Sequence, residues 1–270
     1  MAQTPIQAAD GAKITFTIRP SEERGNADHG WLKTFHTFNF ADYYDPRYEG
    51  YGPLRVINED RVEPREGFGT HSHREFEIMS YIISGNLEHR DSMSNVEVMK
   101  RGDVQLTSAG TGIRHSEKTD GDNQVHFLQI WSVPNKRGLT PKYYHRHFSD
   151  EEKRQGWVAV VGKIGDEGVS DSREGTGPTP VHSNLWLYAT LLGAGKTIDH
   201  PLKYSKGYIH VVQTSGYNTE KSKGNRVKLN GAVELGEGDG AFVTNGGENE
   251  IVKIENIGDG EAELLFFDLD

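Results

Sequence analysis

Gly69-Thr70-His71-Ser72-His73 and, further along the chain, Gly110-Thr111-Gly112-Ile113-Arg114-His115-Ser116-Glu117 are the stretches from which the fold is read. Side chains alternate between the faces of a β-strand, so His71 and His73 point the same way, as do His115 and Glu117. Two such strands meeting inside a barrel bring three imidazoles and one carboxylate toward a common point. That donor set suits a divalent transition metal.

The chain around them consists of short β-rich runs closed by turn signals. Glu77-Ile78-Met79-Ser80-Tyr81-Ile82-Ile83 runs into Ser84-Gly85-Asn86, and His126-Phe127-Leu128-Gln129-Ile130-Trp131-Ser132-Val133 into Pro134-Asn135. The second half continues with Trp186-Leu187-Tyr188-Ala189-Thr190-Leu191-Leu192, Tyr208-Ile209-His210-Val211-Val212 and Glu263-Leu264-Leu265-Phe266-Phe267. Strands at this spacing, with 32 glycines, predict an all-β chain of jelly-roll-type barrels. Gly165 to Pro180, rich in glycine, serine, aspartate and proline, predicts a long exposed loop early in the second half.

A weak internal repeat points to two related barrels, divided here as residues 1–147 and 148–270. Ser84-Gly85-Asn86 aligns with Ser215-Gly216-Tyr217, and Arg101-Gly102-Asp103-Val104 with Glu237-Gly238-Asp239-Gly240. The same count sets Leu202 opposite His71 and Tyr204 opposite His73, and no histidine follows His210. The expectation is a metal-binding N-terminal barrel, a C-terminal barrel without ligands, and one ion per chain.

Composition narrows the function classes. Lysine and arginine number 30 against 40 aspartates and glutamates, a formal charge of −10, and no basic run offers a track for phosphates. Direct nucleic-acid binding is therefore disfavoured. Without cysteine there is no disulfide framework, thiolate metal site or cysteine nucleophile. No apolar stretch approaches the roughly 18 residues of a membrane span, and the N-terminus lacks the apolar core of a signal peptide. The expected location is the cytoplasm, with the nucleus left open, and no membrane partner is expected.

Longer blocks carry a family resemblance. His29-Gly30-Trp31, Ala41-Asp42-Tyr43-Tyr44-Asp45-Pro46, the residues 70–77 Thr-His-Ser-His-Arg-Glu-Phe-Glu, and the segments from Arg101 to Glu117 and from Leu128 to Tyr143 resemble pirin, a bicupin family. The resemblance is dense over roughly residues 29–148 and lies mainly in pattern beyond. It implies two cupin barrels, a single metal in the N-terminal one and, in several members, quercetin 2,3-dioxygenase activity. Other members are described as nuclear cofactors of transcription regulators.

A generic cupin would draw its carboxylate from the first motif, where Glu77 stands four residues after His73. Here Ser108 occupies the place of the usual second-motif proline, and His115-Ser116-Glu117 is the pirin-type arrangement. The metal ligands are accordingly read as His71, His73, His115 and Glu117. Glu77 is read as a neighbour that orients a ligating imidazole. His145 and His147 share the spacing of the first pair but have no matching partners, and are read as solvated. His36, His89 and His126 are read as structural or supporting. The aromatic stripe Trp31, Phe35, Phe38, Phe40, Tyr43 and Tyr44 is read as core.

Three imidazoles and a carboxylate admit iron, manganese, nickel, cobalt or copper. The resemblance favours iron(II). A flavonol such as quercetin would bind through its 3-hydroxyl, with Glu117 taking the hydroxyl proton as general base. Dioxygen is the co-substrate, and family analogy supplies the outcome: loss of carbon monoxide and cleavage of the heterocycle to a depside. Phe68, next to the first histidine pair, is a candidate apolar wall for a flat ring. The alternative is a metal- or redox-responsive interaction protein, in which the ion reshapes a surface for a protein partner or transcription regulator without turnover.

Overall fold

The structure, a computed structural model, describes residues 4–8 and 13–270. Nearly every element is a strand, and the one α-helix among the described residues is Asp150–Gln155. Its start follows from Ser149-Asp150-Glu151-Glu152: the Glu152 amide donates to Ser149 Oγ at 3.2 Å, and the Ser149 amide donates to Glu152 Oε2 at 2.8 Å. Among the described residues no helix is long and apolar enough to cross a membrane.

The chain forms two compact cupin units, and neither is continuous in sequence. One comprises Gly25–Phe148 and Val160–Asn184; the other comprises the described residues up to Arg24, Ser149–Ala159 and Leu185–Asp270. A single division at 147/148 therefore does not describe the molecule. Strand pairing is the reason: Thr15–Arg19 lies antiparallel to Gly240–Thr244, so the N-terminal strand completes a sheet of the C-terminal unit. Thr179–Val181 pairs with residues 161–163, which returns the Gly165–Pro180 loop to the N-terminal unit. That loop is pinned there. Arg146 donates to the Ser172 and Arg173 carbonyls, Lys142 pairs with Asp171 at 2.7 Å, and Arg173 donates to Asn95 and Glu97.

In the N-terminal unit one sheet runs, in spatial order, Lys142–His147, Asp103–Ser108, Glu77–Ser84, Val125–Ser132, Leu54–Val62, Leu32–His36 and Gly25–Asp28. A second sheet runs Gly67–His73, Ile113–Thr119, Leu87–Asp91 and Val96–Met99. All these pairings are antiparallel. Leu32, Val62, Ile82, Leu87, Met99, Val125 and Phe127 pack together in one hydrophobic cluster of this unit. Each such side chain contributes about 1.5–3 kcal/mol by leaving water. The candidate ligands lie on the second sheet.

The C-terminal unit repeats the plan, with Thr197–Pro201, Ile251–Asn256, Arg226–Leu229 and Val233–Gly236 forming its smaller sheet. The aligned turns are the same device in both units. Gly102 and Gly238 adopt φ of 87° and 84°, and the aspartate after each accepts a backbone N–H three residues earlier, Lys100 at 2.8 Å and Gly236 at 2.7 Å. Leu202, which the repeat sets opposite His71, is packed in the hydrophobic core of that unit, and Tyr204 is half-buried.

Candidate metal site

His71 and His73 stand on Gly67–His73, and His115 lies directly across the ladder from His71 on Ile113–Thr119. The two strands lose register beyond this pair: Glu117 faces Phe68, so Gly69 and Thr70 of one strand stand opposite Ser116 alone on the other. This bulge lies around Gly69 and Thr70, beside the histidines, where bulges commonly re-aim side chains. His71 Nδ1–H donates to the Gly69 carbonyl at 2.8 Å, which turns its Nε2 toward His115. The two Nε2 atoms stand 3.1 Å apart. One ligand-capable atom from each of His71, His73 and His115 lies within 4.8 Å of the others.

Burial and the neighbouring imidazoles push His73 down to about 4 and His115 down to about 3. Both rings are therefore neutral near pH 7, with lone pairs available. His73 Nε2 and His115 Nδ1 are buried without a hydrogen-bond partner. Three neutral imidazoles crowded together, two of them nitrogen to nitrogen, gain from a cation placed among them.

Glu117 is placed differently from the three histidines. It groups with His115 and His89, and all three are buried. Ser80 Oγ donates to Glu117 Oε1 at 3.0 Å and Gln129 Nε2 to Oε2 at 2.7 Å, so the facing sheet holds both carboxylate oxygens. His89 Nε2–H donates to Asp91 Oδ2 at 3.3 Å, and its ring stacks on Tyr143 with centroids 4.9 Å apart. His89 supports the site from behind His115, at a ring separation of 5.3 Å.

Glu77 does not orient an imidazole. It is fully buried at the start of Glu77–Ser84 and accepts the His182 and Ser183 amides, each at 2.9 Å, together with the Ser183 hydroxyl at 2.9 Å. Its carboxylate ties residues 182–183 to the sheet, and burial pushes it up to about 7. His145 and His147 flank Asp103, at 3.3 and 2.6 Å. His36 Nδ1–H donates to Asn58 Oδ1 at 2.9 Å, and His126 Nε2–H to Glu59 Oε1 at 3.1 Å. The aromatic stripe divides: Phe35 and Phe38 are buried, Phe40 lines a cavity, and Tyr44 is 70% exposed.

That cavity is open to solvent, and His71, His73 and Glu117 are among the residues that line it. Phe68, Phe40, Trp131 and Leu32 form its apolar walls, and Trp131 stands 4.8 Å from the His73 ring. Thr34, His36, Asn58, Asp60 and Gln129 also line it. Of these, His36 is read from sequence as structural or supporting, while Thr34, Asn58, Asp60 and Gln129 belong to no ligand motif. Their spacing, 34 with 36 and 58 with 60, puts each pair on one face of its strand, but Asn58 and Asp60 lie in the polar run Asn58-Glu59-Asp60-Arg61, which hides the alternation.

Residues 17–132 match the pirin family, and residues 169–269 match the quercetinase C-terminal cupin domain. A protein named quercetin 2,3-dioxygenase from Escherichia coli (strain K12) is 38% identical over 254 residues, spanning 93% of this chain and 97% of that one. The crystal structure of YhhW from Escherichia coli is 37% identical, with a TM-score of 0.77, and the match covers 94% of this chain and 97% of that one. Bacterial pirin YhhW in complex with nickel(II) is 36% identical, with a TM-score of 0.76, over 94% of this chain and 98% of that one. With both barrels matched and this identity sustained over most of its length, the chain belongs to the pirin family, as a bicupin.

Proposed function

We propose that this protein is a metal-dependent dioxygenase that cleaves flavonols of the quercetin type. The observation that carries the reading is the cluster of three histidines whose ring nitrogens converge beside a partly apolar cavity. His71, His73 and His115 would hold one divalent transition ion, with Glu117 as the carboxylate of the site. The family resemblance favours iron(II), and the Escherichia coli relative was crystallised with nickel(II). When bound, such an ion makes a coordinated hydroxyl more acidic and supplies the electronic means for dioxygen to react with a closed-shell organic molecule.

The protein's own residues account for the rest. Glu117, steadied by Ser80 and Gln129, is positioned to accept the 3-hydroxyl proton. The Gly69 carbonyl fixes the His71 tautomer. Phe68, Phe40 and Trp131 hold a flat ring and keep water from it. Flavonol and dioxygen together become depside and carbon monoxide, so no external reductant is consumed.

The test is metal analysis of purified protein, followed by aerobic incubation with quercetin after loading with iron, manganese, nickel, cobalt or copper. Catalytic loss of flavonol with matching oxygen uptake is the expected result. Metal retention without turnover for any of the five ions would overturn the enzyme reading and favour a metal-responsive interaction protein.

A further inference from the structure

The cavity contains a second built feature. Leu32–His36 and Leu54–Val62 pair so that Leu32 faces Val62, Thr34 faces Asp60 and His36 faces Asn58. These six side chains share one face. The first pair joins the apolar core, while the other two pairs form a polar panel on the cavity wall. Thr34, His36, Asn58 and Asp60 are all at least 95% buried. Thr34 Oγ1–H donates to Asp60 Oδ1, and His36 Nδ1–H donates to Asn58 Oδ1. The Asn58 amide nitrogen and Asp60 Oδ2 are the remaining polar atoms of these two pairs, on side chains that line the cavity. At a cavity wall such groups are served by water until a ligand presents matching hydrogen-bonding groups in its place.

The donor set selects the ligand. Among the described residues lining the cavity there is no lysine or arginine, so nothing there neutralises a phosphate or carboxylate. An amide donor, a hydroxyl and a carboxyl recognise neutral hydroxyl groups, each of which both donates and accepts. Burial pushes Asp60 up to about 7, so its carboxyl can offer a proton as well as a lone pair.

We infer that Thr34, Asn58 and Asp60 form a hydroxyl-recognising subsite that selects aromatic substrates bearing ring hydroxyls beyond those held at the histidine cluster. The inference rests on the flavonol-dioxygenase reading and narrows its substrate class to polyhydroxylated flavonols. Sites built to hydrogen-bond a hydroxyl discriminate strongly against analogues lacking it, because their own polar groups are then stranded.

Three probes test this on the metal-loaded full-length protein. 3-Hydroxyflavone keeps only the hydroxyl and carbonyl of the reacting ring, galangin adds two hydroxyls on the fused ring, and quercetin adds two more on the pendant ring. Affinities are measured without oxygen by quenching of tryptophan fluorescence, and kcat/KM is measured in air. The parent should prefer at least one hydroxylated probe to 3-hydroxyflavone by on the order of tenfold or more. Thr34→Val and Asp60→Asn should each bring that affinity ratio several-fold closer to one. Thr34→Val removes one hydroxyl at nearly constant volume, so it serves if Asp60→Asn fails to fold. Parent protein that binds and cleaves all three probes equally, or variants that keep the parental ratio, would overturn the subsite and leave the dioxygenase reading standing. Parent protein that cleaves none of them overturns both.

Discussion

His115 and Glu117 are two residues apart on one strand, and the roles proposed for them can be separated by substitution. His115 faces His71 nitrogen to nitrogen at 3.1 Å, so His115→Ala removes a donor from the centre of the cluster. Loss of both bound metal and flavonol cleavage is expected, read by elemental analysis and oxygen uptake. Glu117→Gln keeps an oxygen that can coordinate weakly but cannot accept a proton at neutral pH. It should retain much of its metal yet lose on the order of 10²- to 10⁴-fold in turnover; parental turnover would end the base assignment. Asp60 gives a prediction about pH. Its carboxyl is held at about 7 by burial, with the Glu117 and Glu59 charges adding to the shift and the Thr34 hydrogen bond opposing it. In the unfolded chain it titrates near 3.9. The folded state thus binds this proton more tightly, and the stability it confers at low pH is lost as pH rises toward 7. Asp60→Asn cannot ionise and still offers Thr34 an acceptor oxygen. Its stability relative to the parent, from urea unfolding of metal-free protein, should rise between about pH 4 and 7 and then level off. A flat or falling difference would contradict the burial argument.

At the scale of elements, the repeated Gly-Asp turn is the device most directly tied to sequence. Gly102 has φ of 87°, and a Cβ there would lie 2.5 Å from the Phe148 carbonyl oxygen. Gly121 has the same φ of 87° with no atom within 4 Å of its Cβ position. Gly102→Ala should therefore cost about 2 kcal/mol or more, and Gly121→Ala only about 1 kcal/mol, because both pay the left-handed backbone strain and only the first meets a backbone atom. Equal urea midpoints for the two variants would refute the steric term. Such turns are legible because glycine and aspartate have few local alternatives. The histidine pair is legible for a similar reason, since a period of two decides which side chains share a face. The bulge at Gly69 and Thr70 is not legible, because register depends on the partner strand. Glu77 was misread for a related reason: its partners, His182 and Ser183, lie more than a hundred residues away and approach only when the Val160–Asn184 segment folds back onto the N-terminal unit.

For the whole molecule, two barrels of one plan were visible in the repeat, whereas the discontinuous make-up of each unit was not. Alternation and turn signals mark where strands begin and end, but not which distant strand completes a sheet, and so Thr15–Arg19 ends up beside Gly240–Thr244. The proposal that only the N-terminal barrel holds metal can be tested by counting ions. In the N-terminal unit the His71 position faces other imidazoles; in the C-terminal unit the aligned Leu202 is packed with Val252, Ile254 and Phe266 in one apolar cluster. His200, two residues before it, is already engaged, with its Nε2–H donated to Asp268 Oδ2 at 2.7 Å and its ring 4.0 Å from that of Phe266. Placing an ion there would break that pair and open a packed core, at a cost of about 3–5 kcal/mol for a stranded buried charge alone. Protein loaded with excess metal and then mildly chelated should therefore retain one ion per chain, and His115→Ala should retain none. Two ions surviving chelation, or one surviving in His115→Ala, would show that the C-terminal barrel holds metal after all.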